Sequence, residues 1–473
     1  VALFPLLLCV TSHVAVAGDA KGQTVEFVSP GGTREACVAV HPVPGGDYSA
    51  NDEAEERSLC AMDFYSGDFA LCPKTFSTSP GTLVYNVSSG PYAGRAENFE
   101  AEHCRKRGIV SSGVVGDPVS YKMTMNGQET SATFAPAALL YYHFSRYFGS
   151  HVDVPVSVWR SMDRKEHFER VVRTGLAVSA NGGSPMNRAG WEMLAEGAKD
   201  PGSYRPTSEL YTDGGTQIFG ILIREEGRRY GADINGTRES GWGAGQNRDF
   251  QETAPFLALR HEGPVAEAIE QGIATAKKNP ELRKAMRTDP SPVQMAFWMT
   301  ELSEIVVMDF IFSQQDRVGN IDYVDYWYWV EDGNVEHARA SGGEPPDSVR
   351  ALDPVKIRRS VINDNDAGGR VPYANFAKST GMVGNLRHFR AETYVRLQRL
   401  AQDFEESGPL YEWLRSSFGI SERQIAQVVN NTLEASRMLR SACESGRLRF
   451  SLDPHAMLRT GASVEKDVAC DGS

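Results

Sequence analysis

Apolar and polar residues alternate over residues 118–125, the period of a half-buried strand, and Asn126-Gly127 then supplies a two-residue hairpin turn. Residues 128–134 return as the second strand. Residues 137–148 (AALLYYHFSRYF) read as a helix closed by Gly149. Two further strands are expected over 154–160 and 217–223. Beyond about residue 250 the apolar spacing becomes helical, over 264–286, 292–312, 392–405, 408–418 and 421–445. Ser421 and Gln424 have the spacing of a capping box for the last of these. Inside this helical half, residues 324–330 (VDYWYWV) alternate as a strand, 333–354 form a polar loop, and 356–362 a short strand. The plan is α+β, a sheet-rich half followed by a helical half that carries a strand pair.

The N-terminal segment changes the picture in two ways. Residues 1–17 carry a short apolar run and an Ala15-Val16-Ala17 cleavage pattern, and so read as a signal peptide. Its removal takes Cys9 and leaves Cys37, Cys60, Cys72, Cys104, Cys443 and Cys470, an even number that suggests three disulfides of open connectivity. Residues 18–107 are rich in Gly, Pro, Ser and acids, and are expected to form an irregular, disulfide-stapled extension. The division is then 18–107 extension, 108–250 sheet-rich lobe and 251–473 helical lobe. Such a chain belongs in a secreted, periplasmic or secretory-lumen setting. No later segment is apolar for long enough to cross a bilayer. Sequons occur at Asn86, Asn235 and Asn430.

Composition excludes more than it assigns. A net charge of −12 lacks the basic footprint of a nucleic-acid binder. The cysteines form no Cys-x-x-Cys pair, the histidines show no metal-ligand spacing, and no Gly-x-Ser-x-Gly elbow occurs. The chemistry concentrates instead where an apolar helix runs into Asp316-Arg317-Val318-Gly319-Asn320, and where a later strand ends on Asp364-Asn365-Asp366. Two carboxylates at neighbouring strand ends suit phosphoryl transfer, one near the acceptor hydroxyl and one on the metal that carries the phosphates. A surface ion pair at a helix end is the bland alternative for Asp316 and Arg317, and a β-turn acid cluster for Asp364. Lys122 reads either as an edge-strand lysine or as a phosphate contact. Gly113 and Gly116 read as an ordinary turn or a phosphate-covering loop. Trp327 and Trp329 read as core or groove lining ahead of a sugar platform.

The stretch from Asp309 to Arg317, the Asp364-Asn365-Asp366 cluster and the run from Arg390 to Ala401 resemble the secretory-pathway kinases: the Golgi casein kinase, the proteoglycan xylose kinase and Four-jointed. HipA-like kinases and type II phosphatidylinositol 4-kinases are more distant counterparts. In the first half, Thr133-Phe134-Ala135-Pro136, the run from Tyr142 to Gly149, Val154-Pro155 and Arg160 are similar too. The resemblance covers roughly residues 110–450. It implies an atypical protein-kinase-like two-lobe fold that moves the γ-phosphate of ATP to a hydroxyl of a protein or glycan, with Mg²⁺ or Mn²⁺. Asp316 would be the catalytic Asp and Asp364 the metal ligand, with Asp366 as an alternative. Asn320 would be a second oxygen ligand, and Arg317 would brace the loop. The departures are specific. Ala135 stands where the family has its phosphate-binding Lys, and Ala138 near its partner Glu. Gln314 and Val318 replace an Asn and a His. A relocated lysine, with Lys122 as the candidate, or a pseudokinase that binds without transferring would both produce this pattern.

Overall fold

The computed structural model describes residues 20–110, 115–341 and 343–472. The signal segment 1–17 and Gly113 lie outside the described residues. The strands are β1 (Gly22–Val28), β2 (Arg34–Val40), β3 (Phe69–Pro73), β4 (Thr82–Asn86), β5 (Val119–Met123), β6 (Ser157–Asp163), β7 (Tyr211–Thr212), β8 (Gln217–Ile223), β9 (Arg228–Arg229), β10 (Ile321–Glu331), β11 (Asn334–Arg339) and β12 (Val355–Ile362). Eight of them form one antiparallel sheet in the order β1-β2-β6-β8-β5-β4-β3, with β7 beside β8. The others form a small sheet, β11-β10-β12, with β9 beside β10. The fold is α+β, with most helices gathered after the large sheet.

The irregular extension expected over 18–107 is instead half of that sheet. It contributes β1 to β4, and its Gly- and Pro-rich stretches are the turns between them. Short strands such as Thr82–Asn86, buried through Tyr85, are easily hidden by turn-rich flanks. The disulfides fasten helices to this sheet: Cys37–Cys60 joins β2 to the end of the Ala50–Cys60 helix, and Cys72–Cys104 joins β3 to the end of the Ala96–His103 helix. Cys443–Cys470 ties the C-terminal segment to the Glu422–Glu444 helix.

Two buried helices join the halves. Pro136–Phe148 buries every side chain but that of Arg146, starts with Pro at its first position, and stops at Gly149 in the left-handed region (φ 57°). It packs on β6 and β8 and on the Pro292–Phe312 helix. Each fully buried Leu or Phe contributes about 1.5–3 kcal/mol of transfer free energy. Pro292–Phe312 is apolar around its whole circumference, as a helix enclosed on all sides must be. Its three acids are paired: Glu301 with Arg359, Glu304 with Arg390, and Asp309 with Arg317. The helix expected over 264–286 is two, Val265–Ala276 and Pro280–Met286, because Asn279 caps a new start at Pro280. The capping box at Ser421 and Gln424 forms.

The expected hairpin does not close. After β5, only Met125 and Thr133 bridge, and Ala132 takes a positive φ of 55°. Phe134 N–H donates to the Asp366 carbonyl at 2.6 Å, and Ala135 N–H to Thr124 Oγ1 at 3.1 Å. The segment docks on the acidic loop as well as on the end of β5, where Thr133 Oγ1 donates to the Met123 carbonyl at 3.2 Å.

Candidate active site

Antiparallel register brings the two acidic loops together. Ile321 of β10 faces Ile362 of β12, so the residues before 321 and after 362 emerge side by side. The long helix ends at Ser313, whose left-handed φ of 51° turns the chain out of the helix axis. Ser313 Oγ is held by the side-chain amides of Gln427 at 3.0 Å and Asn431 at 3.1 Å. Gln314 ties the loops together: its carbonyl accepts from Asp316 N–H at 3.0 Å, and its amide donates to the Asp364 carbonyl at 3.3 Å. Arg317 is buried beneath, bonded to Asp309 at 3.1 Å and to Asn365 at 2.8 Å, while Tyr141 O–H donates to Asp309 at 2.7 Å.

Asn235 completes the frame. It is buried, and its carbonyl accepts from Gly319 and Ile321 N–H at 3.0 and 3.2 Å. Its amide donates to the carbonyls of Tyr230 and Ile321. The sequon there is therefore enclosed, whereas Asn86 and Asn430 are exposed.

Lys122 is the centre of the cleft. Its ammonium lies 2.5 Å from Glu225, 3.0 Å from Asp364 and 3.4 Å from Asp366. Three donors thus meet three carboxylates. Burial opposes the charge of Lys122, but Asp366, Glu225 and Asp364 together outweigh it and hold the group well above the ordinary lysine range. The same ammonium holds Asp364 well below the carboxylate range. Burial raises Glu225, and Lys122 and Lys74 more than reverse this. Asp366, at 5% exposure, is pushed up by burial, and Lys122 only partly offsets the effect.

Asp316 lies on the floor of the same cleft, which has a volume of about 250 Å³. Its pKa is raised to about 6, chiefly by burial, with a further push from the charge of Asp364. The indole N–H of Trp242 donates to Asp316 Oδ1 at 3.4 Å and stabilises the ionised form. Trp242 is 66% exposed, with Phe376 edge-on at 5.7 Å. The Asn320 amide donates to the Asp316 carbonyl at 2.6 Å, and its own carbonyl accepts from Arg229. Arg229 also bonds Asp322 at 2.6 Å and lies 3.8 Å from Asp364.

The roof is the β3–β4 connection, residues 74–81 (KTFSTSPG). Gly116 does not contribute: it is exposed on the link before β5 and lines no part of the cleft. Trp327 and Trp329 also lie outside it. Ala135 and Ala138 are core residues.

Lys122, Asp316, Asn320, Asp364 and Asp366 thus share one cleft. Sequence reading missed Glu225, Arg229, Lys74 and the 74–81 roof. One usable signal existed for Glu225: strand alternation from Ile221 through Ile223 places it on one face of the sheet.

No family model matches this chain, and no curated protein matches it. Among solved structures, the chain is similar to a hydra Fam20 determined with sugar, at 12% identity over 86% of this chain and 94% of that one, with a TM-score of 0.42. It is also similar to the golgi casein kinase, at 10% identity over 85% and 80% of the two chains, with a TM-score of 0.41.

Proposed function

We propose that this protein is an ATP-dependent phosphotransferase acting on a hydroxyl of a protein or glycan. The observation that carries this reading is the meeting of a buried lysine, two loop carboxylates and a third, separately placed carboxylate under one polar roof. Asp364 and Asp366 offer hard oxygen donors on the wall that faces Lys122. Among the described residues no group of three or more His, Cys, Asp or Glu side chains forms a closed metal cage. Two carboxylates suit a cation that takes its remaining ligands from phosphates and water, as Mg²⁺ does in such sites. Held by Asp364 and Asp366, Mg²⁺ or Mn²⁺ would neutralise the charge of the phosphates.

The chain's own residues do the rest. Lys122 and Lys74 present positive charge to the phosphates beneath the 74–81 roof. Asp316 accepts the proton of the acceptor hydroxyl as the new O–P bond forms and the bond between the β- and γ-phosphates breaks, releasing ADP. Its raised pKa suits a base working near neutrality. Gln314 keeps Asp316 and Asp364 in register by bonding to both loops. Three disulfides agree with an oxidising, exported setting.

The test is Mn²⁺-ATP binding by thermal shift, comparing the wild type with Asp364→Ala. A metal-dependent rise in Tm that vanishes in the variant supports the site. No rise in either protein overturns it. The second reading, a nucleotide-binding protein without transfer, draws on the absence of an acid from the Pro136–Phe148 helix. It predicts the same Tm rise with no ATP turnover.

A further inference from the structure

A phosphate-binding lysine in a kinase-type site must be held by an acid, and the usual donor is a helix that can move. Here the Pro136–Phe148 helix contains no Asp or Glu, and Ala137 and Ala138 at its start are buried in the core. The sheet itself supplies the partner. In the β5–β8 ladder, Lys122 faces Ile221 and Ser120 faces Ile223. Side chains alternate along a strand, so Ser120 and Lys122 share a face with Ile221, Ile223 and, two residues further on, Glu225. Both contacts follow: Glu225 takes Lys122 at 2.5 Å on one oxygen, and Ser120 O–H at 2.9 Å on the other. Lys74, from the roof, stands 3.8 Å from the second oxygen.

We propose that Glu225 is the positioning residue for Lys122, in the place of the missing helical acid. This rests on the phosphotransfer reading above. A divalent cation at Asp364 and Asp366 competes with Lys122 for those carboxylates, and Glu225 is the partner that remains. The pair also differs in kind from one made to a helix. It is built between adjacent strands of one sheet, so displacement of the Pro136–Phe148 helix leaves it intact. The lysine is set without an activating helix movement.

The experiment uses the full chain and four proteins: wild type, Glu225→Gln, Lys122→Met and the double variant. Each is measured for Tm without ligand and for Mn²⁺-ATP affinity. A lost charge-assisted bond should weaken Mn²⁺-ATP by roughly ten- to a hundredfold in Glu225→Gln. Glu225→Asp should recover part of the loss. In the Lys122→Met background, Glu225→Gln should add nothing further, a non-additivity that a merely structural Glu225 would not show. Unchanged or tighter binding by Glu225→Gln overturns the proposal, because the carboxylate would then be a plug that nucleotide must displace. If the wild type binds no nucleotide, the phosphotransfer reading falls, and the ligand-free cycle still decides the pairing. Additive Tm losses refute it, and non-additive losses uphold it.

Discussion

At the scale of single residues, the cleft is a problem of charge. Six carboxylates, Asp316, Glu225, Glu226, Asp322, Asp364 and Asp366, line the cleft and its mouth together with three cations, Lys74, Lys122 and Arg229. Lys122 has the largest share of that balance. Lys122→Met leaves three carboxylates without their shared cation and should lower stability by ~1–3 kcal/mol, less than for a fully buried pair because Asp364 and Glu225 keep some solvent. Mn²⁺ should restore more Tm to this variant than it adds to the wild type, since it can replace the lost charge. A smaller restoration than in the wild type would refute that account.

Asp316 yields a pH prediction. In the transfer proposed above, Asp316 accepts a proton and must be ionised, and its pKa is raised to about 6. Turnover should therefore fall as pH drops through about 6 and level off above it. Trp242→Phe removes a hydrogen bond to the ionised form, so the acid limb should move to higher pH by about half to one unit. Asp316→Asn should lower kcat by roughly 10²–10⁴-fold with ATP affinity little changed. A pH–rate profile of each protein checks all three.

At the scale of elements, the site depends on where chains stop. Ser313 ends the long helix in the left-handed region, and three side-chain amides, from Asn375, Gln427 and Asn431, hold its hydroxyl. Register then sets the acidic loop beside it. The Pro136–Phe148 helix, which carries no acid, tests this logic. Ala138→Glu restores the residue type that the resemblance leads one to expect. Ala138 is 2% exposed, however, and Lys122 is already held by other acids. The new carboxylate would be buried without a partner, so Tm should fall, by the equivalent of ~2 kcal/mol or more. A gain in nucleotide affinity instead would show that Lys122 can reach the helix.

The long helices 292–312 and 421–445 were legible in the sequence because their apolar spacing runs for many turns. The strand over 217–223 was equally plain. The return strand over 128–134 was not, because alternation cannot tell pairing with β5 from docking on a distant loop.

Taken whole, the molecule is a large sheet and a helical body that carries the small sheet, with a continuous apolar core that runs from β6 and β8 through both buried helices. Disulfides fasten its margins. Cys443–Cys470 closes a loop with a sequence separation of 27, for which chain entropy suggests about 3–4 kcal/mol. Cys443→Ala with Cys470→Ala should therefore lower Tm while leaving Mn²⁺-ATP affinity unchanged, because neither cysteine lines the cleft. A matching loss of affinity would instead tie the C-terminal segment to the site.

The sequence by itself determined the α+β plan, the long helices, the two acidic loops, and that six cysteines come as pairs. These are local matters of periodicity, capping and composition. Only the tertiary structure decided which cysteines pair, that residues 22–86 belong to the main sheet, that Asn235 is enclosed, and that Lys122 points at Asp364. It also decided that Glu225, unremarkable in the sequence, stands 2.5 Å from that lysine. The reason is physical. Local sequence fixes the direction of a side chain relative to its own strand, whereas its partner is fixed by register with a strand about a hundred residues away.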